Sequence, residues 1–327
     1  MAGGALAAVA ALGGCGDDDA SSAAGGRLQV VTTVAPVTSI VAAVGGELVA
    51  IEGLVPEGAD SHTFDPPPSA AEALSRADVL FLNGLELEAP TGDLADANLP
   101  DGAALVELGD EAITPDEYRY DRSYPRDGGV PNPHLWTNPP MAARYAEVVK
   151  DTLVELDPGN AEAYERNLAA FSARVDELDA AVRTATATVD PADRTLLTYH
   201  DAYAYFADEY GWRVIGAIQP SDVDEPSPRE VADLIAQVRD TGVPAIFGSE
   251  VFPSPVLELI GEETGVRYVD VLRDDDLPGE PGDHEHSWLG LVRFDVITMV
   301  EALGGDATAV EAVSPEPTAP DVADYPQ

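Results

Sequence analysis

The most regular pattern of hydrophobic positions lies in the middle of the chain. Apolar residues recur there at spacings of four and three, the period of an amphipathic helix, at Tyr164, Leu168, Phe171, Val175, Leu178 and Val182. The pattern predicts a helix over about residues 160–187, bounded by Asp157-Pro158-Gly159 and Asp190-Pro191. A helix of roughly 28 residues extends about 40 Å at 1.5 Å per residue, so we expect a stiff connector between two halves of the fold.

On both sides of this helix, short strand-like runs alternate with helical stretches, which is typical of βα units and parallel sheets. In the first half the predicted strands are 29–34, 48–55, 79–83 and 104–107, and the predicted helices are 36–44, 69–77 and 140–156. In the second half the predicted strands are 195–198, 213–217, 245–247 and 267–272, and the predicted helices are 201–210, 227–240, 254–264 and 288–303. Ser69 and Ser227 stand at the expected N-caps. The expected fold class is α/β, with two lobes joined by one long rigid helix.

The predicted organisation has five parts. They are a signal segment and flexible tether (1–27), a first α/β lobe (28–158), a linker helix (159–189), a second α/β lobe (190–312) and a disordered tail (313–327). The tail is predicted to be disordered because it is rich in Pro, Ala and Asp.

The beginning of the chain has the features of a lipoprotein signal. Residues 1–14 are small and apolar, too short a stretch to span a bilayer, and favour the apolar core of a signal peptide. Leu12-Gly13-Gly14-Cys15 follows the pattern that precedes a lipid-modified cysteine, and a polar tether comes after it. The alternative is that Cys15 is an ordinary small residue. No Lys or Arg precedes Cys15, so we expect the true start to lie upstream of Met1.

Charge and cysteine content exclude several classes of protein. Asp and Glu number 60 against 17 Lys and Arg, a net charge of −43, which excludes a nucleic-acid binder because phosphate binding draws on Lys and Arg. An apolar fraction of 45% excludes a disordered chain. The acidic composition favours a halophilic protein, because a Debye length of about 3 Å at 1 M salt screens self-repulsion. Cys15 is the single cysteine, which excludes disulfides and thiol-rich metal sites.

Three of the five histidines stand where ligand sites form. His62, His134 and His200 lie in loops that follow strands or lead into helices, the positions at which open α/β sheets bind ligands. A single such histidine would most often be a hydrogen-bonded loop residue. Three of them, two in one lobe and one in the other, predict a metal site, because imidazole suits Zn²⁺ and a carboxylate often completes the shell. Asp274, or its neighbours Asp275 and Asp276, follows a predicted strand and could supply that carboxylate.

The other two histidines, His284 and His286, lie in an acidic loop with no predicted strand before it. A small secondary or capture site for metal is one interpretation of this pair. The alternative is that both are ordinary hydrogen-bonded loop residues.

Three segments carry a family resemblance. Residues 56–66 (PEGADSHTFDP), 132–139 (NPHLWTNP) and 200–206 (HDAYAYF) resemble the motifs of the solute-binding proteins of zinc and manganese ABC transporters, which have the TroA or ZnuA type of fold. The segments 225–227 and 248–250 also fit, and the resemblance extends from Val30 to about Gly304. It implies two α/β lobes joined by a rigid helix, with the metal bound between them.

The resemblance also implies site residues. By similarity the metal ligands are His62, His134, His200 and Asp274, and possible supporting residues are Asp275, Trp136 and Glu250. Family members that select manganese typically carry Glu in place of His200. Three nitrogens and one carboxylate therefore favour Zn²⁺ over Mn²⁺.

The chain departs from the family at three positions near these ligands. Ser61 replaces a proline, and Asn132 and Asn138 replace acidic residues beside the second histidine. Such neighbours often orient a ligating imidazole, so these changes bear on metal affinity and on the tautomer of the histidine.

The resemblance implies an extracytoplasmic, monomeric lipoprotein, held on the outer face of the cell membrane by its lipid alone, that captures a divalent ion and delivers it to an ABC permease. The alternatives are a manganese or other divalent-ion binder, and a surface adhesin. A zinc hydrolase would need an open coordination position and a general base. The sequence has no His-Glu-x-x-His motif, and Glu225 and Glu250 are interpreted as a loop residue and a structural carboxylate. We therefore do not expect an enzyme.

Overall fold

The computed structural model describes residues 1, 26–121, 123–217, 227–249 and 254–326. Cys15 and Glu250, expected above to be the lipid attachment site and a supporting carboxylate, lie outside these ranges. Within them, no helix combines the length and the apolar character that crossing a membrane requires.

The first lobe is built on a four-stranded parallel sheet. Its strands, in the order β2-β1-β3-β4 across the sheet, are β1 (Leu28–Thr32), β2 (Val49–Gly53), β3 (Val79–Leu82) and β4 (Ala104–Glu107). Its helices are α1 (Ala35–Gly45), α2 (Pro68–Leu74), α3 (Ala89–Asn98), α4 (Leu108–Ala112) and α5 (Pro139–Leu156). A single long helix, α6 (Ala161–Thr188), leads to the second lobe.

The second lobe repeats this plan. Its parallel strands, in the order β6-β5-β7-β8, are β5 (Thr195–Thr198), β6 (Arg213–Ala217), β7 (Ala245–Ser249) and β8 (Arg267–Leu272). Its helices are α7 (Ala204–Tyr210), α8 (Pro228–Thr241), α9 (Pro255–Thr264), α10 (Trp288–Ala302) and α11 (Thr308–Glu311). The predicted fold of two α/β lobes with a long connecting helix is confirmed.

Some of the predicted helix starts are confirmed by the structure and others are wrong. Ser227 is the N-cap of α8 and forms a capping box with Glu230. Ser69 is not an N-cap, because α2 begins one residue earlier at Pro68, whose fixed backbone angle suits the first helical position. The helix predicted from residue 201 begins only at Ala204, so residues 201–203, which follow His200, are not helical.

Helix α6 is firmly packed along its length. Of the six apolar positions that predicted this helix, five are buried, and the sixth, Leu168, is partly buried. The five buried positions are Tyr164, Phe171, Val175, Leu178 and Val182. The helix packs against α1 and α5 of the first lobe and α10 of the second, and one continuous hydrophobic core contains residues of both lobes. Because protein cores are close-packed, this arrangement resists large movements of one lobe against the other.

The predicted disorder of the C-terminal tail is wrong for its described part. Asp324 forms a parallel bridge with Glu52 at the edge of β2, where Gly53 N donates to the Asp324 carbonyl and Asp324 N donates to the Ile51 carbonyl, both at 2.9 Å. Tyr325 is buried. The tail satisfies the open edge of the first sheet, a contact between distant segments that composition cannot reveal.

Candidate metal centre

Three histidine side chains converge between the lobes. His62 Nε2 lies 3.0 Å from His134 Nε2 and 3.0 Å from His200 Nε2. The ligand atoms of the three residues all lie within 4.8 Å of one another, and the described residues contain no other such group of three His, Cys, Asp or Glu side chains. The structure thus brings together the three histidines that the sequence singled out.

Each histidine comes from a loop that the fold fixes in place. His62 follows β2, and its N–H donates to Asp60 Oδ1 at 2.9 Å. His134 is fully buried just before α5, whose N-cap is Asn138. His200 follows β5 at the carboxyl end of the second sheet. Two of these histidines come from the first lobe and one from the second, so the cluster lies between the lobes.

A different polar group holds the Nδ1 atom of each histidine. Tyr124 Oη lies 3.1 Å from His62 Nδ1, Asn132 Oδ1 lies 2.9 Å from His134 Nδ1, and Asp274 Oδ2 lies 2.5 Å from His200 Nδ1. Such partners orient a ligating imidazole and fix its tautomer. With Nδ1 engaged in all three rings, the Nε2 atoms are the ones presented to the centre.

Asn132 performs the orienting function that an acidic residue has in the family motif. Its amide nitrogen donates to Asp121 Oδ2 at 2.6 Å and to the Asp201 carbonyl at 2.5 Å. These two acceptors fix which way the amide faces, so Oδ1 is left to accept from His134 Nδ1–H. The substitution of Asn for an acid therefore preserves control of the His134 tautomer.

The run of three aspartates is buried, with side-chain contacts that reach the first lobe. Asp274, Asp275 and Asp276 are each only 4–5% exposed. Ser61 Oγ donates to Asp275 Oδ2 at 2.7 Å, and Gly58 N donates to Asp276 Oδ2 at 3.0 Å. The loop after β8 thereby closes onto the loop that carries His62.

Asp274 contacts the histidine cluster through His200 Nδ1. Its other oxygen, Oδ1, accepts from Ser249 Oγ at 3.1 Å, and its backbone carbonyl accepts from Trp136 Nε1 at 2.8 Å. Both carboxylate oxygens are thus engaged within the protein. Asp275 differs, because its Oδ1 is buried and has no hydrogen-bond partner among the described residues.

Burial and neighbouring charges shift the pKa values of the three histidines in opposite directions. Desolvation, reinforced by the charge of His200, holds the pKa of His62 and of His134 well below the usual value. Burial also opposes the charged form of His200, but the adjacent Asp274 carboxylate outweighs it and raises the His200 pKa to about 9. At neutral pH these shifts favour neutral rings at His62 and His134 and the charged form of His200.

Tyr124 is a site residue that sequence reasoning missed. It lies in an irregular loop with neither strand nor helix periodicity, so no local signal pointed to it. Ser249 was included only as part of the 248–250 segment, although its position at the carboxyl end of β7 is itself a signal for a ligand-side residue.

His284 and His286 lie apart from the cluster. His284 is 68% exposed and lies 2.8 Å from Glu285 through its Nδ1 atom. His286 is buried, with its ring edge-on to Tyr325 at a centroid distance of 4.8 Å.

Fold and site together define a two-lobed metal-binding protein, and comparison with known families identifies its class. Residues 30–302 match the family described as ZnuA, zinc-uptake complex component A periplasmic. The chain belongs to this family, whose members are the metal-binding components of ABC transporters.

Individual relatives carry different metals in their names. The iron-binding protein YfeA of Yersinia pestis is 28% identical over 85% of this chain and 87% of its own length, and the manganese-binding lipoprotein MntA of Halalkalibacterium halodurans is 27% identical over 84% and 88%. Among solved structures, the periplasmic zinc-binding protein TroA from Treponema pallidum superposes with a TM-score of 0.77 at 27% identity, over 85% of this chain and 99% of that one.

Proposed function

We propose that this protein captures Zn²⁺ between its two lobes, with His62, His134 and His200 as ligands, and delivers the ion to an ABC permease. The observation that carries the proposal is the convergence of three Nε2 atoms whose Nδ1 atoms are all engaged elsewhere. It is a binding and release function that requires no catalytic group.

The spacing of the nitrogens supports zinc. Nitrogens at 2.0–2.1 Å from a tetrahedral Zn²⁺ are about 3.3 Å apart, and the His62 Nε2 atom lies 3.0 Å from each neighbour. A small outward shift of the rings would admit the ion. Three imidazoles also favour Zn²⁺ over Mn²⁺ in the order of divalent affinities. The relatives named for iron and manganese make those two ions the competitors to test.

A carboxylate from the Asp274–Asp275 pair completes the proposed shell. Similarity assigns this part to Asp274, which would exchange its contact with His200 Nδ1 for the metal. The Asp275 Oδ1 atom offers a second route, because it is buried and has no partner among the described residues. Either choice supplies one negative charge against the two of the ion.

The proposed cycle needs only small movements. The core shared by the two lobes and the packing of α6 restrict opening to the loops that carry His62 and Asp274–Asp276. We place the protein outside the cytoplasm, attached through lipid on Cys15, where it would meet the ion before the permease does.

Calorimetric titration with Zn²⁺, Mn²⁺ and Fe²⁺ tests the proposal. We expect one tight Zn²⁺ site that is lost in His134→Ala and in His200→Ala, because each change removes a ligand. His284→Ala is the matched control, since it removes an exposed imidazole outside the cluster. A tight site that survives both ligand substitutions would refute the assignment.

Asp274→Asn and Asp275→Asn separate the two candidates for the fourth ligand. The substitution of the true ligand is expected to weaken Zn²⁺ binding more than the other. X-ray absorption on the loaded variants would report the loss of one oxygen ligand directly. Equal Zn²⁺ affinity in wild type and both variants would show that neither carboxylate binds the metal.

A further inference from the structure

A segment of the first lobe connects the two lobes beside the histidine cluster. It lies between α4 and α5, and its described residues, 118–121 and 123–124, are called the strap below. Just before the strap, Glu117 Oε1 accepts from Arg144 Nη1 of α5 at 2.6 Å. This ion pair fastens the beginning of the strap to the first lobe.

Hydrogen bonds join the strap to the second lobe at two places. The Arg119 guanidinium donates to Asp208 Oδ2 on α7, from Nη2 at 2.7 Å and from Nε at 3.0 Å. Further along, Ser123 N donates to Asp201 Oδ2 at 3.3 Å. Asp201 directly follows His200 in the chain. The strap therefore contacts the second lobe next to the histidine which that lobe contributes.

A turn at the end of the strap sets the position of Tyr124. Asp121 N donates to the Tyr124 carbonyl at 3.0 Å, and Tyr124 N donates to Asp121 Oδ1 at 2.9 Å. Asp121 Oδ2 accepts from the amide of Asn132, which fixes the turn to the first lobe. Tyr124 Oη lies 3.1 Å from His62 Nδ1, and the tyrosine ring centroid lies 6.1 Å from those of His62 and His134. The turn thus places one tyrosine against two of the three histidines.

His62 is the histidine whose loop has to move when the ion leaves. Its side chain is partly exposed, whereas that of His134 is fully buried, and the proposed opening is confined to the loops that carry His62 and Asp274–Asp276. An outward movement of the His62 loop would break its contact with Tyr124, which the strap holds in place from both lobes. The strap is therefore expected to resist the step that releases the ion.

We propose that the strap slows release of the bound ion, with Tyr124 as the positioning residue for His62. The ion pair of Arg119 with Asp208 fastens the strap to the second lobe. The inference rests on the proposed function, since it concerns the rate at which that same site gives up its ion. Differences in affinity between variants of one binding site arise mostly from the dissociation rate, so the dissociation rate is the quantity that the strap should control.

The rate of Zn²⁺ release tests the proposal, and stopped-flow mixing of the loaded protein with excess EDTA measures it. Arg119 and Asp208 have side chains that are 36% and 58% exposed. Arg119→Ala and Asp208→Ala are each expected to speed release by about twofold to fivefold, the range that an exposed ion pair supports. The exchanged pair, Arg119→Asp with Asp208→Arg, rebuilds the ion pair with opposite polarity and should bring the rate back towards that of wild type.

Arg183→Ala is the matched control. Arg183 lies on α6 and pairs with Asp179 and with Glu209 of α7, so its removal deletes the same charge and an ion pair to the same helix, but outside the strap. Its release rate should equal that of wild type. If Arg119→Ala melts at a lower temperature than Arg183→Ala without metal, Asp208→Ala provides the same test from the other side of the ion pair.

Tyr124→Phe tests whether the strap acts through His62. It keeps the aromatic ring and removes the hydroxyl that contacts His62 Nδ1, so release should be faster than in wild type. Arg119→Ala should then add little in the Tyr124→Phe background, because residues that act through one contact are not additive. Effects of the two substitutions that simply multiply would overturn the proposal.

The outcomes are distinct from those that test the proposed function. A tight Zn²⁺ site that is lost in His134→Ala, with equal release rates in wild type, Arg119→Ala and Arg183→Ala, would overturn the role of the strap and leave the proposed function intact. A wild-type protein without a tight Zn²⁺ site would refute both.

Discussion

Ser61 Oγ donates a 2.7 Å hydrogen bond to Asp275 Oδ2 and so joins the first lobe to the second beside the histidine cluster. Both side chains are buried. Ser61 occupies the position at which the family motif has a proline, and a proline could not make this bond. The buried aspartate and the serine are therefore matched to each other in this chain.

Ser61→Ala is expected to destabilise the protein by about 1–3 kcal/mol, because it leaves the buried Asp275 carboxylate without its donor. Urea unfolding of the metal-free protein measures the change. Ser75→Ala is the control, since Ser75 is exposed and bonds only to a carbonyl within its own helix, and its effect should stay within about 0.5 kcal/mol. Equal stabilities for Ser61→Ala and wild type would show that the bond contributes nothing.

Asn132→Asp is expected to weaken Zn²⁺ binding by about 10–100-fold, although acidic residues occupy this position in the family motif. The new carboxylate would face Asp121, which accepts from the amide of Asn132, in a place where burial and the charge of Asp201 already raise the Asp121 pKa to about 7. Calorimetric titration at constant pH measures the loss.

The exchanged pair Asp121→Asn with Asn132→Asp should recover most of that affinity. It restores one amide and one carboxylate, now with the carboxylate beside His134 Nδ1. If the double variant binds no better than Asn132→Asp alone, the orientation of His134 does not depend on this pair.

His200→Glu is expected to shift selectivity from Zn²⁺ towards Mn²⁺. It replaces a nitrogen ligand by a harder oxygen ligand and removes the donor that Asp274 Oδ2 now contacts at 2.5 Å. The ratio of Zn²⁺ to Mn²⁺ affinity should fall by at least about tenfold, or about 1.4 kcal/mol. Competition titrations with both ions provide the measurement, and an equal loss for both would contradict the prediction.

Asp295→Asn is expected to make stability less sensitive to pH. Burial raises the pKa of Asp295 to about 7 despite bonds from Arg273 N and Tyr203 Oη. The folded state therefore binds the proton more tightly than the unfolded state does. This contribution to stability is complete below about pH 4 and is lost as the pH rises to about 7.

Each unit of pKa difference corresponds to about 1.4 kcal/mol. Without a charge, Asn can still accept from Arg273 N through its oxygen and can donate its amide N–H to Tyr203 Oη. Between about pH 5 and about pH 8, the free energy of unfolding should therefore fall less in Asp295→Asn than in wild type. Asp101→Asn, in an exposed turn, controls for the removal of one carboxylate. A pH response identical to wild type would exclude the role of Asp295.

The sequence by itself determined the parts of this protein that depend on local order. The bounds of β4, β5, β6 and β8 agree with the predicted strands, and the bounds of α6 agree within one residue at each end. These elements could be predicted because hydrophobic periodicity is a property of residues that are close together in sequence. The loops that carry His62, His134 and His200 could also be predicted as a site from the sequence. The carboxyl ends of parallel strands lie at one edge of a sheet, and histidine is rare in this chain.

Only the tertiary structure decided which distant groups meet. In a chain this acidic, Asp274, Asp275 and Asp276 resemble a solvated run, yet all three are buried. Asp275 and Asp276 accept hydrogen bonds from a loop more than 200 residues away in sequence. The contact of Tyr124 with His62 and the pairing of the tail with β2 have no periodic signal in the sequence. Such contacts depend on how the two lobes pack around α6, and a pattern of neighbouring residues carries no information about that packing.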